Sequence, residues 1–324
     1  MDCMIRNSAF FALVALAGCG GGGGGGTALP VTPVPPPPPP PPTYASINDP
    51  TKSVHLDFLS GASMIGIGWR EKNNEPATDY TSVSGGVHPR DGEISLSYNA
   101  EKKEYNVQYR GESAIYSDKD LVGEAEDGKS YDIFDESDPV NWIDKYFSIY
   151  HDKDLTLTYM NIGIFTVTKP KNYDNGDYAL EVNTQYFAFG HKTEQNDMPR
   201  TGTGAYNFVV ASTAYSSYGF HQYFGDGKLN VDFSTGDVVS KFDVKLGAWA
   251  EGNKPQESYA LSLEGSIFEG SNRLNGTIIS ENSSHAGNFT GNFFGPAAEE
   301  VGVTFFMQDA NGGGLVGAIA GERE

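Results

Sequence analysis

The chain has 324 residues, 38% of them hydrophobic, and carries a net charge of −20 from 42 acidic and 22 basic side chains. So acidic a surface repels phosphate backbones, since nucleic-acid affinity comes mainly from Lys and Arg displacing counterions, and nucleic acid is not an expected partner. Its two cysteines, Cys3 and Cys19, both lie near the start, so no disulfide can staple the body of the chain, which must rely on its own core.

The first eighteen residues place Arg6 ahead of an apolar run, Phe10 to Leu16, followed by small residues. That layout is a secretion signal. The run falls short of the roughly 20 residues that a membrane-spanning helix requires. Leu16-Ala17-Gly18-Cys19 resembles the bacterial lipobox, in which the cysteine thiolate takes a diacylglycerol before cleavage. The resemblance implies a mature chain starting at an acylated Cys19. Several acyl chains on one residue give firm anchoring, each buried methylene contributing about 0.8 kcal/mol. Gly20 rather than an aspartate follows, which in lipoproteins of this type implies the outer membrane. With Cys19 acylated, no thiol remains for a disulfide, a zinc ribbon or thiol catalysis.

Residues 19–45 read as a linker. Gly20 to Gly26 is an unbroken glycine run and Pro35 to Pro42 an unbroken proline run, and neither can bury a core. The glycines are a loose coil, and the prolines a polyproline II rod of roughly 25 Å that spaces the folded part from the membrane.

From Tyr44 onward period-two patterning prevails, which makes the chain all-β. Residues 46–197 form a smaller β domain with long loops. Within it Ile94, Leu96 and Tyr98 pair with Tyr105, Val107 and Tyr109 as a hairpin across Asn99–Glu104. The acidic stretch Ser117 to Asp144, which contains Trp142, is expected to include a short helix. Residues 198–324 carry eight strand-like segments, at 204–210, 228–233, 239–246, 258–268, 272–279, 286–293, 301–308 and 314–320. Turn chemistry separates most of them, as in Ser234-Thr235-Gly236-Asp237 and Asp309-Ala310-Asn311-Gly312-Gly313. Eight sequential antiparallel strands close into a barrel whose interior is just filled by side chains or holds one small ligand.

The run Gly287-Asn288-Phe289-Thr290-Gly291-Asn292-Phe293-Phe294-Gly295-Pro296-Ala297-Ala298-Glu299-Glu300-Val301-Gly302 resembles the G-x-F-x-G-x-F-F/Y-G-P-x-A-x-E-x-G signature of the transferrin-binding protein B-like β-barrel family. Met198 to Tyr206, Tyr186 to Gly190 and Gly314 to Gly321 also resemble family segments, so the likeness covers about 150–324. Val303 stands where the family often has a second glycine. The chain has the length of one lobe, a handle domain at 46–197 plus a barrel at 198–324, where transferrin-binding protein B has two. The resemblance implies an outer-membrane, surface-exposed lipoprotein that captures an iron source, either heme or a host iron-binding protein. A TonB-dependent receptor and a surface lipoprotein translocator are the implied partners. An adhesin or immune-evasion factor on the same scaffold is the alternative.

The candidate ligand site is the aromatic loop expected between the first two barrel strands, with Tyr215, Tyr218, Phe220, His221, Tyr223 and Phe224. Exposed aromatics with an imidazole fit a protein-binding patch or a heme-iron ligand. The competing reading, which the sequence favours, is that they continue the strands and plug the barrel end. His191 is the second choice of heme ligand. The remaining histidines, His55, His88, His151 and His285, have no metal-binding spacing. Glu299 and Glu300 adjoin, so on a strand they face opposite ways and cannot act as a catalytic pair. Asp174-Asn175-Gly176-Asp177 lacks the later ligands of a calcium loop and reads as a turn. No nucleophile elbow, zinc-protease or phosphate-loop signature occurs, and no catalysis and no resident cofactor are expected.

Overall fold

The computed structural model describes residues 44–324 except 45, 48, 58–59, 71–78, 89–93, 110–111, 118, 124–128, 139–142, 153–154, 173–177, 217–218 and 248–256. The signal and stalk, Trp142, and the turn at 174–177 lie outside the described residues. Pro42–Glu324 is one compact unit.

Three β layers stack upon each other. The outermost is a four-stranded sheet ordered β1-β4-β5-β6, from Val54–Asp57, Ile94–Asn99, Glu104–Tyr109 and Glu112–Ser117. Its β4–β5 hairpin has the register expected from the sequence, Ile94 opposite Tyr109, Leu96 opposite Val107 and Tyr98 opposite Tyr105. The middle layer is a seven-stranded sheet, β3-β2-β11-β10-β9-β8-β7. In chain order its strands are β2 (Ser60–Arg70), β3 (Asp79–His88), β7 (Leu121–Gly123), β8 (Lys129–Asp138), β9 (Ile143–Asp152), β10 (Met160–Asn172) and β11 (Tyr178–Gly190). Where a short helix was expected, β7 and β8 stand instead. Tyr131 and Ile133 alternate with Ser130 and Asp132, and β8 pairs with β9 along its whole length, which satisfies the backbone without a helix.

The third layer is a closed eight-stranded barrel. Its strands are β12 (Thr203–Ser216), β13 (Gly219–Asp232), β14 (Asp237–Leu246), β15 (Ser258–Ile267), β16 (Arg273–Ser280), β17 (Ala286–Phe294), β18 (Glu300–Gln308) and β19 (Gly314–Arg323). Each pairs with the next, and β12 closes on β19 from Tyr206 opposite Arg323 to Tyr215 opposite Gly314. All eight expected segments are strands. The first two are much longer than the sequence pattern indicated, and only residues 217–218 separate them.

Each layer buries a face against the next. In the seven-stranded sheet, Phe165, Val167, Phe187 and Phe189 face Leu96, Val107 and Tyr116 of the small sheet. From its other face, Met64, Ile162, Ile164 and Tyr186 meet the outer barrel wall at Val209, Ala211, Val316, Ala318 and Ala320. Alanines on the wall let the sheet approach closely. The barrel lumen is filled by Tyr206, Phe208, Phe242, Leu263, Ile278, Phe289, Phe305 and their neighbours, as eight strands require.

Candidate functional site

Five of the six aromatic-loop residues, Tyr215, Phe220, His221, Tyr223 and Phe224, lie on strands β12 and β13. Ala214 and Ser212 of β12 face His221 and Tyr223 of β13, while Tyr215, Thr213 and Ala211 face Phe220, Gln222 and Phe224. Directly paired residues share a face. Ala214 and Tyr223 belong to the lumen core, so His221 and Tyr223 are on the inward register. Tyr215, Phe220 and Phe224 are on the outer wall. The hairpin therefore divides the candidate residues between two sides of one sheet.

Their environments differ accordingly. Tyr215 is buried between the barrel and the middle sheet, where its hydroxyl and Thr184 Oγ1 hydrogen-bond at 2.7 Å. Its ring occupies the space over Gly66, where an added Cβ would come within 2.6 Å of it. Phe224 packs on the same cluster. Phe220 stays 53% exposed and tilts against Tyr215 with ring centroids 6.0 Å apart. His221 is half-buried at the barrel mouth, and Tyr218 lies outside the described residues.

Below His221 the mouth is closed by aromatic side chains. Tyr223 meets Tyr259 edge-on with centroids 5.1 Å apart, and Tyr259 meets His285 at 5.1 Å. Burial pushes the Tyr223 hydroxyl well above the usual tyrosine range, and Tyr259 adds to the rise. Burial likewise raises Tyr259. His285 is buried, and its Nδ1 is 3.0 Å from Ser283 Oγ. Burial lowers its pKa and Asp309 partly offsets the change, so the ring is neutral at pH 7. His191, the second-choice ligand, is half-buried beside the junction of sheet and barrel, and burial lowers its pKa too. His55 is exposed. Among the described residues no three His, Cys, Asp or Glu side chains converge as a metal site would require.

Glu300 has a place that the sequence reading missed. It is buried at the start of β18, and its carboxylate accepts backbone N–H bonds from Thr158 at 2.6 Å, Tyr159 at 2.9 Å and Met160 at 2.8 Å. Its cross-strand neighbour Glu322 accepts the N–H of Thr156 at 3.1 Å. Two barrel carboxylates thus hold the backbone that leads into β10. Burial raises the Glu300 carboxyl above its ordinary range although the three N–H groups pull it down. Glu299 sits before the strand, its own N–H bonded to Pro296 O at 3.2 Å.

Among solved structures, this architecture is similar to transferrin-binding protein B. A single-residue mutant of that vaccine antigen from Haemophilus parasuis Hp5 is 10% identical, with a TM-score of 0.33 over 84% of this chain and 76% of that one. The intact two-lobed Ap form is 11% identical, with a TM-score of 0.36 over 85% and 79%. The isotype 1 protein of serogroup B Neisseria meningitidis is 10% identical, with a TM-score of 0.32 over 85% and 77%. No family model and no curated protein matches the chain, and the description of the fold rests on its strand pairings.

Proposed function

We propose that the chain is a lipid-anchored binding protein of the outer-membrane surface, held through Cys19, that captures an iron source rather than performing catalysis. The observation that carries the reading is the filled lumen: side chains from all eight strands occupy it, so recognition falls to the rims and outer faces. There Phe220 is exposed beside His221 at the β12–β13 tip. The exposed Phe220 on the outer wall suits a protein surface, and the half-buried His221 on the inward side of the mouth is the imidazole this reading offers to a heme iron. The likeness to transferrin-binding protein B supports an iron-carrying protein as the ligand class.

The test uses the compact unit that starts at Pro42, titrated with hemin and, separately, passed over immobilised transferrin. A saturable, red-shifted Soret band that His221→Ala abolishes supports heme capture at the barrel mouth. Retention on transferrin without a hemin signal supports a protein ligand. If neither binds, iron capture falls and the adhesin reading takes its place.

A further inference from the structure

At the barrel end opposite the β12–β13 tip, the β13–β14 and β15–β16 turns and residues 195–200 enclose a cleft of about 380 Å³. This lies within the range of about 300–1,000 Å³ typical of small-molecule sites. Met198, Phe233, Ile267 and Phe268 supply apolar surface, while Arg200 and Glu269 supply charge. Phe268 is 47% exposed, a large apolar side chain left uncovered in a turn whose backbone is fixed by bonds from Phe268 N–H to Arg273 O and from Ser271 N–H to Phe268 O.

In a chain of net charge −20, all three arginines after residue 197, Arg200, Arg273 and Arg323, stand here. Arg323 lies 5.3 Å from the ring centre of Phe233 and Arg273 5.8 Å from that of Phe268, so both aromatic walls carry a guanidinium. Three nearby carboxylates accept hydrogen bonds. Asp232 accepts the N–H groups of Ser234 and Thr235, Asp237 accepts the Thr235 hydroxyl, and Asp197 accepts the Tyr44 hydroxyl. Glu269 is the one carboxylate among the lining residues.

We propose that this cleft binds a small amphipathic anion, an apolar ring or chain bearing a single acidic group. The apolar body lies on Phe233, Ile267 and Phe268, and the acid pairs with Arg200. Glu269 sets the charge limit: its repulsion disfavours a polyanion such as a polyphosphate, while one anionic group is matched by the arginines.

The probe is anilinonaphthalene sulfonate, followed by its fluorescence on the chain from Pro42, with its neutral analogue phenylnaphthylamine and the competitor decanoate. Arg200 and Phe268 are exposed, so Arg200→Gln and Phe268→Ala leave the core untouched; circular dichroism checks this. The expected result is saturable binding, displaced by decanoate and weakened at least about fivefold by each substitution. Phe220→Ala at the far end leaves it unchanged. Unaltered affinity in both cleft variants overturns the proposal, and so does loss on Phe220→Ala instead. Equal affinity for the neutral analogue overturns the acid-binding role of Arg200.

Discussion

Glu300 illustrates how one side chain can hold two layers together. A carboxylate offers two acceptor oxygens to three converging N–H groups, whereas an amide turns an NH2 group toward one of them. Glu300→Gln should therefore lower stability by about 1–3 kcal/mol, the cost of an unmade buried hydrogen bond, as read from denaturant midpoints. An unchanged midpoint would show that the junction holds without this carboxylate. Cys19 poses a separate question at the same scale. With acylation as the anchor, Cys19→Ala moves the chain from the membrane to the soluble fraction and abolishes its labelling by a fatty-acid analogue. Continued membrane pelleting of the variant would contradict the lipobox reading.

At the scale of elements, the sequence was most legible where one face alone is buried. β14 alternates buried and exposed residues along Asp237–Lys245. Legibility failed where both faces are covered. In β12, Phe208 and Val210 point into the lumen while Val209 and Ala211 meet the middle sheet, so the run shows no period of two. The expected strand consequently ended early, and the remainder was read as an aromatic loop. β10 repeats the effect, with Ile162 and Ile164 on one side and Phe165 on the other. The hairpin register, invisible in composition, alternates Tyr215, Phe220, His221, Tyr223 and Phe224 between wall and lumen. Glycines in the barrel do leave a readable trace. Gly265 and Gly276 pair across β15 and β16 beneath the Phe289 ring. A Cβ on Gly276 would stand 2.2 Å from Glu264 O and 2.6 Å from Phe289. Gly276→Val should cost at least about 1–3 kcal/mol through overpacking, measured by thermal unfolding. A neutral result would mean that β16 has room that the packing denies.

For the whole molecule, stability follows from charge and titration together. His285 and His191 both have pKa values lowered by burial. The unfolded chain then binds more protons than the folded one near pH 6.5, so stability falls as pH drops below that value. His285→Gln should flatten this acid-side loss in melting temperature between pH 7 and 5, and an unchanged slope would assign the loss to other groups. The net charge of −20 adds a uniform strain, because compaction brings like charges together. Opposing it are ion pairs such as Lys228–Glu324 and Lys241–Glu281, each at 2.6 Å but with both partners exposed, where a pair contributes only about 0–1 kcal/mol. Salt screens repulsion and attraction alike, shortening the Debye length from about 30 Å at 0.01 M to about 8 Å at 0.15 M. Long-range repulsion among twenty excess negative charges loses more than these few close pairs do. The melting temperature should rise with sodium chloride over that interval at pH 7. A fall instead would mean that the surface pairs outweigh the net charge, and would move the origin of stability from the layered core toward the acidic surface.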